Sequence, residues 1–216
     1  MRRMAASVWT SRSSRCADEA LRYSSAVRSI PIVGDAVLDP ITASDLENEP
    51  LLAAISRWRN AAASAFLTQF EVTPERTKRW LAECVLPDPQ RLLFVVNDGE
   101  GPLGTLGLIG LTGRGAELDN LLRGERRGPA SLFREAEAAL IRWLFHDRGV
   151  ERVEAGVFSW NFAALQLHQS LGFEVERRIP LRRTATADMI SWVEAPEAEG
   201  GVYHLRLALE PERFTP

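Results

Sequence analysis

Lysine is all but missing from this chain of 216 residues, in which Lys78 is the single lysine among 26 basic residues. The arginines are spread along the whole length, so the imbalance reads as codon bias rather than as chemistry. Positive charge is not in surplus either: the formal net charge of -3 excludes a general nucleic-acid binder, whose phosphate contacts need a basic surface. Cysteine is scarce, and Cys16 and Cys84 form neither a metal-ligand spacing nor a disulfide framework. A reducing, cytoplasmic setting fits that usage. No apolar run is long enough to span a bilayer, so no membrane partner is expected. Residues 1 to about 30 lack the continuous apolar core of a signal peptide, and no acidic residue precedes Asp18. Their Arg, Ser and Ala content is that of an organellar transit peptide, but Asp18 and Glu19 speak against one. A flexible extension or an upstream start codon is expected there.

What is present points to one compact domain over residues 31–216. A hydrophobic content of 45% is enough for a sizeable core at this length. Residues 33–38 alternate weakly as a first strand, and Thr42 or Ser44 caps a helix that reaches Trp58. Thr73, Pro74 and Glu75 supply a cap, a first-turn proline and a first-turn acid for a second helix ending near Leu81. Residues 92–96 and 103–111 read as two strands joined by a turn at Asp98-Gly99. The glycines of that turn also spell G-x-G-x-x-G (Gly99, Gly101, Gly104), the pattern of a dinucleotide fingerprint. A fingerprint must open a helix, and the glycine-spaced stretch after Gly104 has no helical period, so a hairpin is expected. Residues 117–122 form the next strand, and residues 203–209 return as a period-two strand. The stretch from 184 to 200 gives no clear pattern.

The densest signals lie between Gly128 and Phe173. Gly128-Pro129-Ala130-Ser131 reads as a helix opening: glycine admits close approach of a ligand to the backbone, and proline suits the first helical position. Free N–H groups at a helix start, with the helix dipole, attract phosphate oxygens. Leu132, Phe133, Ala136, Leu140, Trp143 and Leu144 then repeat with helical period, and His146, Arg148 and Gly149 mark the stop. Val150, Val153, Ala155 and Val157 read as a strand. Asn161 opens a short helix that carries Ala164, Leu165 and His168 on one face, and Gly172-Phe173 closes it.

This segment resembles the GCN5-related N-acetyltransferase (GNAT) family. In that family a pyrophosphate turn precedes the central helix, and an Asn-x-x-Ala-x-x-Leu-Tyr-x-x-x-Gly-Phe stretch follows the next strand. Here the stretch reads Asn161, Ala164, Leu167, His168, Gly172 and Phe173, with histidine in place of tyrosine. The family's pyrophosphate motif, Gln or Arg, two residues, Gly, one residue, then Gly or Ala, falls on residues 125–130, with Glu125 at its first position. A carboxylate facing a pyrophosphate is repulsive, so Glu125 is expected to turn outward while Arg123, Arg126 or Arg127 supplies the charge. The resemblance runs from about residue 33 to about 210. It implies an α/β (α+β) single domain whose mixed central sheet is flanked by helices and whose splayed strands form the coenzyme A cleft.

The resemblance further implies acetyl-CoA as co-substrate and a primary amine as acceptor. Leu121, Leu122 and Arg123 are placed along the cofactor, with Arg126, Arg127, Gly128, Ala130 and Ser131 at its phosphates and Asn161 beside the pantetheine arm. His168 stands where the family has its acid, and an imidazole suits proton donation to a leaving thiolate near neutral pH. It would equally serve as a packed residue bonded to a carbonyl. Glu117 and Asp119 enter the site on one strand face and are the candidates for the base, although each would also fit a strand end. Arg57-Trp58-Arg59-Asn60 resembles a stretch seen in some small-molecule and protein N-terminal acetyltransferases, which implies that Arg59 and Asn60 meet an anionic or sugar-like acceptor. Asn120, His146 and His204 are weaker candidates, and no metal is implied. No Cys or Ser–His pair suggests a covalent intermediate, so direct transfer in a ternary complex is expected. An amino sugar or another small molecule is the expected acceptor, and a homodimer is left open. A non-catalytic acyl-CoA-binding or protein-interaction module on the same fold is the alternative, favoured by Glu125 and the missing tyrosine.

Overall fold

The structure is a computed structural model that describes residues 27–197 and 201–216. The extension expected at the N-terminus therefore lies, through residue 26, outside the described residues. The chain forms β1 (Ile30–Pro31), β2 (Val37–Pro40), α1 (Glu49–Ala61), β3 (Thr68–Gln69) and α2 (Pro74–Trp80). Strands β4 (Leu92–Asn97), β5 (Pro102–Ile109) and β6 (Gly115–Arg123) follow, then α3 (Leu132–His146), β7 (Arg152–Phe158) and α4 (Phe162–Ser170). Strands β8 (Glu174–Ala185), β9 (Ile190–Glu194) and β10 (Tyr203–Leu209) complete the order.

The strands lie side by side as β1-β2-β4-β5-β6-β7-β10-β8-β9-β3. Every pairing is antiparallel except β6 with β7, which the α3 crossover makes parallel. Alternation along β4 shows how helices come to cover both faces. Phe94 and Val96 join a core with Leu140, Leu144 and other residues of α3, whereas Leu93 and Val95 pack with Leu52, Ile55 and Trp58 of α1. Successive strand side chains point to opposite faces, so one buried strand serves two helical layers. The result is the mixed sheet between helices that the family resemblance implies.

Several boundaries differ from expectation for local reasons. The single strand expected over 33–38 is a small hairpin, because Gly34 (φ 58°) and Asp35 turn the chain between β1 and β2. The first helix is divided. Thr42 and Asp45 form a capping box on a 3-10 turn at Ala43–Glu47, and Asn48 then caps α1 through its side chain with Pro50 in the first turn. Pro50 has no N–H to continue a helix from upstream, so the helix restarts there. Helix α2 runs on as a π-turn at Leu81–Val85. Helix α3 starts at Leu132 instead of Pro129: Gly128 (φ 78°) and Pro129 stay in a turn closed by the Leu132 N–H on the Pro129 carbonyl, 3.1 Å. The stretch without a sequence pattern supplies, up to Glu194, the end of β8 and its hairpin partner β9, while its residues 198–200 lie outside the described residues.

Two irregularities in β6 prepare the site. Its parallel ladder with β7 runs from Gly115–Arg152 to Leu118–Ala155 and stops there, so both strands continue without pairing to each other. On its other side the register with β5 slips between Thr105 and Gly107, where β6 carries one extra residue. Asn120 occupies that bulge at φ 49°, and its carbonyl accepts from Thr105 Oγ1 at 2.8 Å. Asparagine tolerates the left-handed region better than most side chains, which suits it to a bulge that re-aims its neighbours.

Candidate active site

Two cavities meet at this bulge. The first, about 310 Å³, lies where β6 and β7 part, and its walls include Leu121 of β6, Gly156 of β7 and Asn161 and His168 of α4. The second, about 470 Å³, lies towards α1 and α2, among Arg59, Phe70, Arg76, Trp80, Arg91 and Leu122. Phe66, Asp119 and Asn120 line both. Asp119 is therefore within the walls of both spaces.

Asp119 and Glu117 share a strand face, as their spacing predicts, but their surroundings set them apart. Glu117 is held by Arg206 of β10 in a two-pronged pair, 2.7 and 2.9 Å. Asp119 accepts from Asn120 Nδ2 at 2.7 Å. Burial pushes its carboxyl above the usual carboxylate range, against the opposing pull of that hydrogen bonding and of Arg91. A raised carboxyl at the meeting point suits a general base, whereas the carboxylate of Glu117 is already committed to an arginine.

His168 is 4% exposed and lines the first cavity. Its Nδ1 lies 2.6 Å from Oε1 of Glu137, a fully buried residue of α3. Its ring also packs 5.3 Å from that of Phe173. His168 is thus packed and also reaches the cleft wall. Its partner is a carboxylate, not the carbonyl expected for a packed histidine. Sequence reasoning missed Glu137. The visible signal was a carboxylate at helical spacing with the apolar residues Phe133, Ile141 and Leu144, all of them buried.

The turn before α3 is organised by three charged side chains. Arg123 threads it: its Nη1 donates to the Ala130 carbonyl at 3.1 Å, and its Nη2 to those of Arg127, Gly128 and Pro129 at 3.2–3.3 Å. Arg127 grips Asp98 of the β4–β5 turn at 2.8 and 2.9 Å and reaches the Gly101 carbonyl. Glu125 turns back onto α1, accepting from Arg57 Nη2 at 2.5 Å and Trp58 Nε1 at 2.9 Å. These bonds hold its carboxyl below the usual range, the indole contributing most. The three arginines expected at the phosphates are all exposed, and of them Arg126 is the one that makes neither a hydrogen bond nor an ion pair to another described residue. Ser131 makes no side-chain cap, so the entry of α3 keeps backbone N–H groups for another acceptor. Gly124 allows this arrangement, because a Cβ there would lie 2.2 Å from the Trp58 ring.

The other expected residues divide. Leu121 lines the first cavity and Leu122 the second. Asn161 caps α4 by accepting from the Ala164 N–H at 3.3 Å while also lining the first cavity. Arg59 faces the second cavity, where burial lowers its guanidinium to about 10 against the raising effect of Asp119. It stands 3.0 Å from the centre of the Phe66 ring and donates to the Thr68 carbonyl at 3.1 Å. Asn60 is not in that cavity. Its amide bonds both backbone groups of Val72, at 2.8 and 2.9 Å, and so fastens the loop between α1 and α2. His204 lines the first cavity and is shifted down by burial, with Arg206 adding to the effect. Among the described residues no group of His, Cys, Asp and Glu is arranged to hold a metal. The glycines of the G-x-G-x-x-G stretch serve the β4–β5 hairpin, with Gly99 and Gly101 at positive φ.

A parallel strand pair that opens into a cleft beside an uncapped helix entry is the architecture of acyl-coenzyme A N-acyltransferases. Residues 36–174 match the model of the Acetyltransferase (GNAT) domain, and the chain belongs to the GNAT acetyltransferase family. Solved structures agree on the fold. Spermidine N-acetyltransferase from Vibrio cholerae, in complex with CoA and spermine, is similar at 15% identity and a TM-score of 0.63, covering 83% of this chain and 97% of that one. Ribosomal-protein-S5-alanine acetyltransferase from Vibrio fischeri is similar at 19% identity and TM-score 0.63, covering 87% and 99%. Campylobacter jejuni N-acetyltransferase PseH, in complex with acetyl coenzyme A, is similar at 17% identity and TM-score 0.52, covering 82% and 99%. No curated protein sequence matches. No helix among the described residues is long and apolar enough to cross a membrane.

Proposed function

We propose that the protein transfers an acetyl group from acetyl-CoA to the primary amine of a small molecule, in one ternary complex. The observation that carries this reading is the junction of the two cavities at Asp119 and Asn120. Acetyl-CoA enters the cleft between β6 and β7, with its pyrophosphate at the turn of Gly128, Ala130 and Ser131 and Arg126 free to pair with it. Arg123 and Arg127 act there by shaping the turn, since both already bind protein groups. Leu121 and Asn161 flank the pantetheine arm, while Leu122 supports the acceptor side. Asp119 takes the proton of the attacking amine, directly or through one water. His168 gives a proton to the sulfur as the carbon–sulfur bond breaks. Glu117, tied to Arg206, serves by fixing the cleft wall.

The second cavity has the size of a small-molecule site. Its arginines Arg59, Arg76 and Arg91, with Phe66, Phe70 and Trp80, suit an amine with an anionic or sugar-like remainder, an amino sugar among them. Such a lining repels a polyamine. Calorimetry with acetyl-CoA followed by thiol-release assays on matched amines tests the proposal. Binding with release on anionic or sugar amines supports it. Binding without release in any panel would favour a non-catalytic acyl-CoA-binding module, and absence of binding would remove the cofactor assignment.

A further inference from the structure

Glu137 is the most costly residue in the molecule to explain by packing alone. It is 0% exposed in the middle of α3, between Ala136 and Ala138, where the fold buries apolar side chains on either side. A carboxylate there loses its hydration, and such a group persists only when paired and hydrogen-bonded. Its Oε1 meets Nδ1 of His168 at 2.6 Å, and its Oε2 has no partner. The carboxylate therefore has one evident task, which is to engage the imidazole.

We infer that Glu137 is a positioning residue that fixes the tautomer and orientation of His168 at the wall of the cleft. The inference rests on the proposed acetyl transfer for its catalytic meaning, but the proton state itself needs no substrate. An ionised carboxylate can only accept, so the hydrogen on Nδ1 is held towards Glu137 and Nε2 is left as the nitrogen that exchanges protons. When the ring is protonated both nitrogens carry hydrogen, and the one on Nε2 is the one not engaged by Glu137. During transfer the amine nitrogen bonds to the thioester carbon and passes its proton to Asp119. The carbon–sulfur bond then breaks, its electron pair goes to sulfur, and the Nε2 proton follows. The ring is left neutral with its hydrogen still on Nδ1, facing Glu137, and is recharged from solvent. The other ionisable groups lining the cleft are Glu117 and Asp119 of β6 and His204 and Arg206 of β10.

The test uses Glu137→Gln, which keeps the shape and an accepting oxygen but removes the charge, and Glu137→Leu, which removes both. Nitrogen-15 spectra of the free full-length protein report the His168 ring directly. The expected wild-type signature is a neutral ring protonated on Nδ1, and in Glu137→Leu the signal moves towards the form protonated on Nε2 that free imidazole prefers. Glu137→Gln, which keeps an accepting oxygen, should retain more of the Nδ1-protonated signature than Glu137→Leu. A wild-type ring protonated on Nε2 would overturn the inference. So would a folded Glu137→Leu protein whose ring stays protonated on Nδ1. If no amine supports turnover, the spectra alone decide, because loss of the proposed activity does not alter the ring signature.

Discussion

Glu125 Oε1 lies 2.9 Å from the indole nitrogen of Trp58, which ties the turn before α3 to the end of α1. The bond turns a carboxylate that would oppose a bound pyrophosphate into a brace for the loop proposed to receive it. Arg57 adds to this from the exposed side. Because these contacts hold the Glu125 carboxyl below its ordinary value, their stabilising contribution is complete above the unfolded value, about 4.3. It is lost as pH falls through the lower folded value. Thermal unfolding of wild type and Glu125→Gln from pH 7 down to pH 3 should therefore converge in acid. A gap between the two that is the same at every pH would show that the carboxylate charge is not responsible.

Asp119 carries the opposite sign. Its carboxyl is raised by burial, so the ionised form weighs against folding at neutral pH and is relieved as pH falls. Asp119→Asn should accordingly leave Tm unchanged or higher while lowering kcat by about 10²–10⁴-fold, the usual contribution of a positioned base. The wild-type acid limb of kcat/KM should lie above the ordinary carboxylate range. A variant that keeps full turnover would remove Asp119 from the mechanism, whatever its stability.

Arg123 bonds four successive carbonyls of one turn, from Arg127 to Ala130. Those carbonyls are gathered on the arginine, which leaves the N–H groups of the α3 entry to face elsewhere. Arg123→Ala should raise KM for acetyl-CoA by about 10-fold with kcat changed less than about 2-fold, the pattern of lost uniform binding. Steady-state kinetics with a saturating amine checks this. A fall in kcat at constant KM would instead place Arg123 near the reacting thioester.

The segment from α3 to α4 was readable from sequence because each boundary is set locally. Gly149 and Gly172 take positive φ at the ends of their helices, and Asn161 caps α4 with its own side chain. The start of α3 was misplaced because Pro129 fits a first helical turn and a tight turn equally well. The features that make the site are different in kind. The slip of register at Asn120 and the end of pairing at Leu118 depend on strands far apart in the chain. Glu137 was visible as a misfit on an apolar stripe, but its partner lies 31 residues away on another helix. Arg206 of β10 meets Glu117 across 89 residues, a pairing no spacing reveals.

Past Leu118 and Ala155, β6 and β7 no longer hydrogen-bond each other, so the sheet has an open seam in its middle. Backbone groups along such a seam exchange with solvent until something extended lies between them. In the proposed binding mode a pantetheine arm, which carries amides of its own, would lie in that gap and knit the two halves of the sheet together. Each release of coenzyme A would then reopen the seam, making the mechanical continuity of the molecule rise and fall with every catalytic cycle.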